Sequence, residues 1–368
     1  MNKRTFIGGG LALIGLTSLL YGCDPNKKGE QKTEGTDKTA ETKTEQTPKP
    51  TAPTGGGGKY RIITNGISPF WDAMGKGVDA VKTETGLDAD WQAPSKSEHN
   101  LQVALIKDAA AQQVAGIAVS PIEAEALSMV IDETMKSGIP VITFDSDAPK
   151  SKRLAYLGTN NYDAGRMAGE AAAKLFPNGG KLVAFVGNMG AQNARDRYQG
   201  FADAVKDKKI EFLQTPFEDN KDKQRAISNV NDAITKYGDK INGFVGLYSY
   251  NGPAIVTAVK QANLRSKVKV VCFDGEPATL QNIGEGNVDV MIVQKPFEFG
   301  RLSIKLLSEI KKANGDIKKA IEALKPELDR LGMKVKDGNI IDTGVTIVTP
   351  ENAKAFLEDL KKKGQTST

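Results

Sequence analysis

One run constrains this chain more than any other: Ile139-Pro140-Val141-Ile142-Thr143-Phe144-Asp145, apolar and β-branched until it stops at a carboxylate. Such a run reads as a parallel strand buried on both faces, with its C-terminal tip opening into a crevice. A second copy, Val268-Lys269-Val270-Val271-Cys272-Phe273-Asp274-Gly275, follows later in the chain. Ligands of open α/β sheets bind at the carboxyl ends of strands. The two Phe-Asp tips therefore predict two similar halves that face each other across one site.

The intervening sequence supports that expectation. With 368 residues the chain is too long for one core and long enough for two. From Tyr60 onward, short apolar strands alternate with helical patterns: Tyr60–Asn65, Trp71–Thr85, Leu87–Gln92, Leu101–Gln113, Gly116–Ser120, and a helix over Ile122–Lys136 with Pro121 at its first position. The alternation restarts after Leu154–Gly158, with Gly165 and Gly169 spaced for close helix packing, and runs to Phe273. Phe297–Lys312 and Asp316–Leu331 read as further helices, Val345–Val348 as a late strand, and Pro350 as the start of a last helix. Two such runs predict an α/β protein of two Rossmann-like, doubly wound parallel sheets.

The first 58 residues read differently. Met1-Asn2-Lys3-Arg4 is basic, and Phe6–Leu20 is a 15-residue apolar stretch. That is shorter than the ~20 residues a membrane span needs, and it has the order of a secretory signal. Leu20-Tyr21-Gly22-Cys23 follows and resembles a bacterial lipobox, which makes 1–22 a signal peptide and Cys23 the lipidation site. Between Asp24 and Pro50 there are six acidic and six basic residues and little that is apolar, and Gly55–Gly58 follows. Such a segment has too little apolar surface to offset ordering entropy, so 23–58 reads as a tether reaching about 30–35 Å.

Several function classes drop out on composition. The net charge is +5, and removing Lys3 and Arg4 with the signal leaves +3, too small an excess to argue for nucleic acid. His99 is the single histidine, which removes most metal sites and Ser-His-Asp arrangements. Cys23 and Cys272 stand in unlike contexts and do not suggest a disulfide, and Cys272 reads as a small buried strand residue. The chain has no phosphate loop or dinucleotide fingerprint. No cofactor and no metal is expected, and an enzyme is disfavoured.

A series of motifs then resembles the ribose-type family of periplasmic sugar-binding proteins, the solute receptors of ABC importers. They are Ser68-Pro69-Phe70-Trp71 after the first strand, Pro140–Asp145, Gly158-Thr159-Asn160-Asn161 with Ala164-Gly165, Ala194-Arg195-Asp196-Arg197 with Gly200-Phe201, Phe273-Asp274-Gly275, and Gln294-Lys295-Pro296. The resemblance implies two lobes joined by a three-strand hinge that close on a ligand. One lobe would comprise 59–158 plus 295–338 and the other 159–294 plus 339–349, with 350–368 a terminal helix and tail.

The same resemblance implies a ligand set of Ser68, Phe70, Trp71, Asp145, Ser146, Arg197, Tyr250, Asp274 and Gln294. Aromatic rings suit the C–H faces of a sugar, carboxylates accept hydroxyl bonds, Arg197 donates, and Gln294 does both. Without it, Phe70 and Trp71 serve equally as core residues, Asp145 and Asp274 as helix caps, and Arg197 as a surface partner of Asp196.

Some positions depart from the family pattern. Ser146 replaces an arginine, Tyr250 stands beside Asn251, and Asp219-Asn220 falls where an aromatic is usual. The sugar is thus left open among pentoses, hexoses and related polyols. The implied partners are a monosaccharide or polyol, an ABC permease in the cytoplasmic membrane, and the membrane itself through the lipid. The body is expected to be a monomer in the cell envelope. A sensor that hands its closed form to a chemoreceptor or histidine kinase, for a sugar or an autoinducer, is the alternative.

Overall fold

The computed structural model describes residues 58–362 and 364–368. The expected signal peptide (1–22), the lipidation site Cys23 and the tether as far as residue 57 lie outside the described residues. The chain opens with β1 (Tyr60–Ile63), α1 (Pro69–Thr85), β2 (Ala89–Gln92), α2 (His99–Ala111), β3 (Gly116–Val119), α3 (Ala124–Lys136), β4 (Val141–Phe144) and β5 (Tyr156–Gly158). It then crosses into α4 (Asn161–Leu175), β6 (Gly180–Val186), α5 (Gln192–Val205), β7 (Ile210–Phe212), β8 (Phe217–Glu218), α6 (Lys223–Tyr237), β9 (Gly243–Gly246), α7 (Asn251–Gln261), β10 (Lys269–Phe273), α8 (Pro277–Gly284) and β11 (Val290–Val293). A return through α9 (Pro296–Lys312), α10 (Ile317–Arg330), β12 (Lys334–Lys336) and β13 (Ile340–Asp342) precedes the last crossing, into β14 (Thr346–Val348) and α11 (Pro350–Lys362).

Two sheets result. The first has the order β12-β13-β5-β4-β3-β1-β2, and the second β14-β11-β10-β9-β6-β7 with β8 also on β6. Each is parallel except at one edge pair, β12–β13 or β11–β14. Because β1, β3, β4 and β5 are buried along their whole length, both faces of the first sheet must be covered. Ile62, Met74, Phe144 and Leu306 belong to the core on one face, and Ile63, Ile117, Val119 and Leu127 to the core on the other. The molecule is thus the expected pair of Rossmann-like lobes, joined by three crossings between β5 and α4, β11 and α9, and β13 and β14.

Close helix packing fixes the elements that carry the site. A Cβ on Gly165 would stand 2.2 Å from the carbonyl of Arg197, and one on Gly200 2.1 Å from that of Tyr162, so α4 and α5 touch backbone to backbone. The same device joins α1 to α9, where a Gly77 Cβ would meet the Phe297 carbonyl at 1.9 Å. One crossing seats Arg197 and the other seats Phe70 and Trp71.

Local expectations shift in two places. The third helix starts at Ala124, not at Ile122 after Pro121, because Glu123 keeps an extended backbone (φ −132°, ψ 116°) and so stands as the N-cap. The strand β13 falls past the expected lobe boundary at 338, yet it pairs in parallel with β5 in the first sheet, so the last crossing comes after Asp342. The helix read at 316–331 is α10, which buries Ile321, Leu324 and Leu328.

Candidate functional site

The carboxyl ends of both sheets line one cleft, and eight of the nine expected ligand residues line it: Ser68, Phe70, Trp71, Asp145, Arg197, Tyr250, Asp274 and Gln294. The ninth, Ser146, does not. Its amide turns back onto the Phe144 carbonyl at 2.6 Å, and its hydroxyl is buried without a partner. A kink at Asp145 directs the next residue away from the cleft.

That kink recurs in both lobes. Asp145 and Asp274 end β4 and β10 with φ of 58° and 57°, the left-handed region that a non-glycine residue enters only at a cost. Neither caps a helix. Asp145 Oδ2 accepts from Ser120 Oγ at 2.7 Å, Asn65 Nδ2 at 3.3 Å and, across the cleft, Asn193 Nδ2 at 3.5 Å. The two oxygens of Asp274 accept from the amide and the side chain of Gln294, both at 2.8 Å. Burial pushes the Asp274 carboxyl up to about 6 and raises that of Asp145, with the Arg197 guanidinium opposing in each case. Backbone strain at buried, charged strand tips is what binding sites accumulate.

Arg197 is buried, at 1% exposure, so its hydrogen bonds must come from protein or ligand. Nε donates to Asn161 Oδ1 and Nη1 to the Leu247 carbonyl, each at 2.8 Å, and the guanidinium stands 4.7 Å from the centroid of the Phe273 ring. Nη2 has no partner, and neither has Oε1 of Gln294. The cleft therefore presents one unpaired buried donor and one unpaired buried acceptor, a pattern that a hydroxyl-bearing ligand completes.

Aromatic walls flank these groups. Phe70 and Trp71 meet edge to face at 4.8 Å on the first lobe, and Tyr248 and Tyr250 at 6.3 Å on the second. Phe70 and Trp71 also pack on Phe299 and Phe144, so they are core residues and cleft residues at once. Ser68 precedes α1 without a side-chain capping bond. Tyr250 donates to Asp219 Oδ1 at 2.5 Å and Asn251 to Oδ2 at 2.9 Å. Asp219 is thus a buried support for Tyr250, and burial pushes its carboxyl up to about 6.

Eight lining residues fall outside the expected set, among them Asn65, Asn193, Lys221 and Tyr248. Asn65 and Tyr248 follow the ends of β1 and β9, so the rule that singled out Asp145 also reaches them. Asn193 and Lys221 sit at a helix start and in a turn, where no periodicity marks them. His99 sits 3.3 Å from Glu123, and burial pushes the Cys272 thiol up to about 12. Among the described residues, no group of His, Cys, Asp and Glu could hold a metal ion, and no helix is long and apolar enough to cross a membrane.

Comparison with known proteins accords with this geometry. The family model for the periplasmic binding protein domain matches residues 62–315. The ribose import binding protein of Escherichia coli K12 is 24% identical over 213 residues, 57% of this chain and 70% of that protein. A Burkholderia graminis ABC transporter solute-binding protein in complex with D-arabinose superposes with a TM-score of 0.70 at 27% identity, covering 80% of this chain and 96% of that one. GanP, a glucose-galactose binding protein from Geobacillus stearothermophilus, gives a TM-score of 0.70 at 25% identity, with coverages of 81% and 99%.

Proposed function

Since the chain belongs to the periplasmic binding protein family, we propose that it is an extracytoplasmic receptor that captures a monosaccharide or related polyol and delivers it to an ABC permease. The observation that carries this reading is the pair of unpaired buried groups, Arg197 Nη2 and Gln294 Oε1, set beside two kinked carboxylates. A sugar hydroxyl accepts from the first and donates to the second, while its C–H faces pack on Phe70, Trp71 and the two tyrosines. The named relatives bind ribose, arabinose, glucose or galactose, which favours a small neutral sugar over other solutes.

In this reading the receptor binds its ligand and releases it unchanged, as the names of the sugar-binding relatives suggest. Closure about the three crossings is driven by the contacts the ligand makes with both lobes at once. Asp145 comes from one lobe, and Arg197 and Asp274 come from the other. Cys23 anchors the protein to the membrane through lipid, with the acidic-basic segment after it as a tether, and the receptor works as a monomer.

A thermal-shift screen against pentoses, hexoses and polyols tests the reading. A true ligand at 100 times its Kd adds about 2.7 kcal/mol. The expected result is a shift for at least one sugar that Asp145→Ala abolishes; a screen without any shift contradicts the proposal. For the anchor, loss of lipid incorporation in Cys23→Ser is expected, and continued acylation would refute it.

A further inference from the structure

The turn that leads into α6 is strained and firmly held. Asn220 and Lys221 are consecutive non-glycine residues in the left-handed region, with φ of 53° and 63°. Their backbone is anchored by Asp219 N to the Val186 carbonyl at 3.1 Å, Asn220 N to the Gly187 carbonyl at 2.8 Å and Lys221 N to Asp219 Oδ1 at 2.8 Å. Asp219 is itself fully buried and holds Tyr250 and Asn251. Strain kept in place by so many bonds marks a functional position.

The outcome of that turn is the course of one side chain. Lys221 leaves the second lobe, and its stem passes 3.5 Å from where a Gly66 Cβ would stand. Its Nζ then donates to the Asn65 carbonyl of the first lobe at 2.7 Å. Asn65 in turn donates Nδ2 to Ser120 Oγ at 2.9 Å and to Asp145 Oδ2 at 3.3 Å. Inside the first lobe the same carbonyl also accepts from Ser97 Oγ at 3.1 Å, so Lys221 adds the cross-lobe bond to a carbonyl already held.

We propose that Lys221 is a positioning residue of the binding reaction: by gripping the Asn65 carbonyl across the cleft, it couples lobe closure to the orientation of Asp145. It acts through Asn65 and not on the ligand. This deepens the sugar-receptor reading and rests on it. Asp145 on the first sheet and Asp219 on its own turn attract the ammonium, and the Tyr248 ring centroid lies 6.0 Å away. Burial nevertheless pulls Lys221 down to about 7.

The test uses the full chain in detergent, as wild type, Lys221→Met and Lys221→Arg, with the sugar that gives the largest thermal shift. In Lys221→Met, stopped-flow should give dissociation faster by about tenfold or more with nearly unchanged association, since such contacts act chiefly on koff. The rank order of sugars should stay the same, and Lys221→Arg should recover part of the lost residence time. An unchanged dissociation rate overturns the proposal, and so does an altered rank order, which would make Lys221 a direct ligand contact. If wild type binds no sugar, the sugar reading fails by itself. Hydrogen exchange over 64–67 and 219–222 then decides the latch: faster exchange in Lys221→Met than in wild type supports it, and equal protection overturns it.

Discussion

Asp145 and Asp274 occupy matching places in the two lobes, one residue past β4 and β10, with the same left-handed backbone within a degree and almost no solvent exposure. A left-handed conformation costs a non-glycine residue roughly 1–2 kcal/mol. The chain carries that cost twice at the mouth of one cleft and sets Arg197 near both carboxylates. Asp274→Asn keeps the shape and tolerates the backbone. It should still fold, with a loss of about 1–3 kcal/mol, and lose sugar affinity by about tenfold to a hundredfold, the scale set by an unpaired buried polar group. Chemical denaturation and titration calorimetry read the two quantities separately.

Asp219, Asp274 and Lys221 should each contribute to how stability depends on pH. Asp219 and Asp274 are pushed up to about 6 by burial, so between about 4 and 6 the folded state holds protons the unfolded chain has released. Their contribution is full below about 4 and is lost as pH rises through 6. Lys221 is pulled down to about 7, so above 7 the unfolded chain holds the extra proton and stability recovers toward pH 10.5. Together these groups place a minimum between about pH 6 and 7. Unfolding free energies measured from pH 4 to 10 should show that dip, and Asp219→Asn should make it shallower.

The contact between α4 and α5 leaves no room for a methyl group. Gly165→Ala brings a Cβ to 2.2 Å from the Arg197 carbonyl, a backbone atom that moves only with its helix. A loss of at least about 1–3 kcal/mol is expected from overpacking, with weaker sugar binding because Arg197 shifts too. Thermal unfolding measures the first effect and calorimetry the second. Gly86→Ala, at a surface helix end with open space around it, should cost stability and leave affinity unchanged.

Tyr250→Phe removes the hydroxyl that donates to Asp219 Oδ1 at 2.5 Å and leaves that buried oxygen with the Lys221 amide as its donor. A destabilisation of about 1–3 kcal/mol should follow. Calorimetry across several sugars should give a similar proportional loss for each, because the lost bond supports the ring and does not touch the ligand.

Much of this architecture was legible in the sequence because buried parallel strands write themselves as continuous apolar runs. Val141–Phe144 and Lys269–Phe273 were found that way, along with the carboxylates that end them. Ser146 misled the reading because adjacency in sequence does not survive a left-handed kink. The strand Ile340–Asp342 was missed since it is short and its membership in the first sheet is decided by pairing with β5, not by its own pattern. Lys221 and Asn193 could not be read as cleft residues, because only tertiary structure brings their turn and helix start opposite the first lobe. Phe70 and Trp71 read as either core or site in the sequence, and the structure packs them in the core while setting them along the cleft.

Titration calorimetry of wild type and Asp274→Asn with the same panel of pentoses, hexoses and polyols tests the central claim most directly. The expected result is saturable one-to-one binding of at least one monosaccharide to wild type, with heat lost in the variant. Wild type silent against the whole panel, or a variant that binds as tightly as wild type, would contradict it.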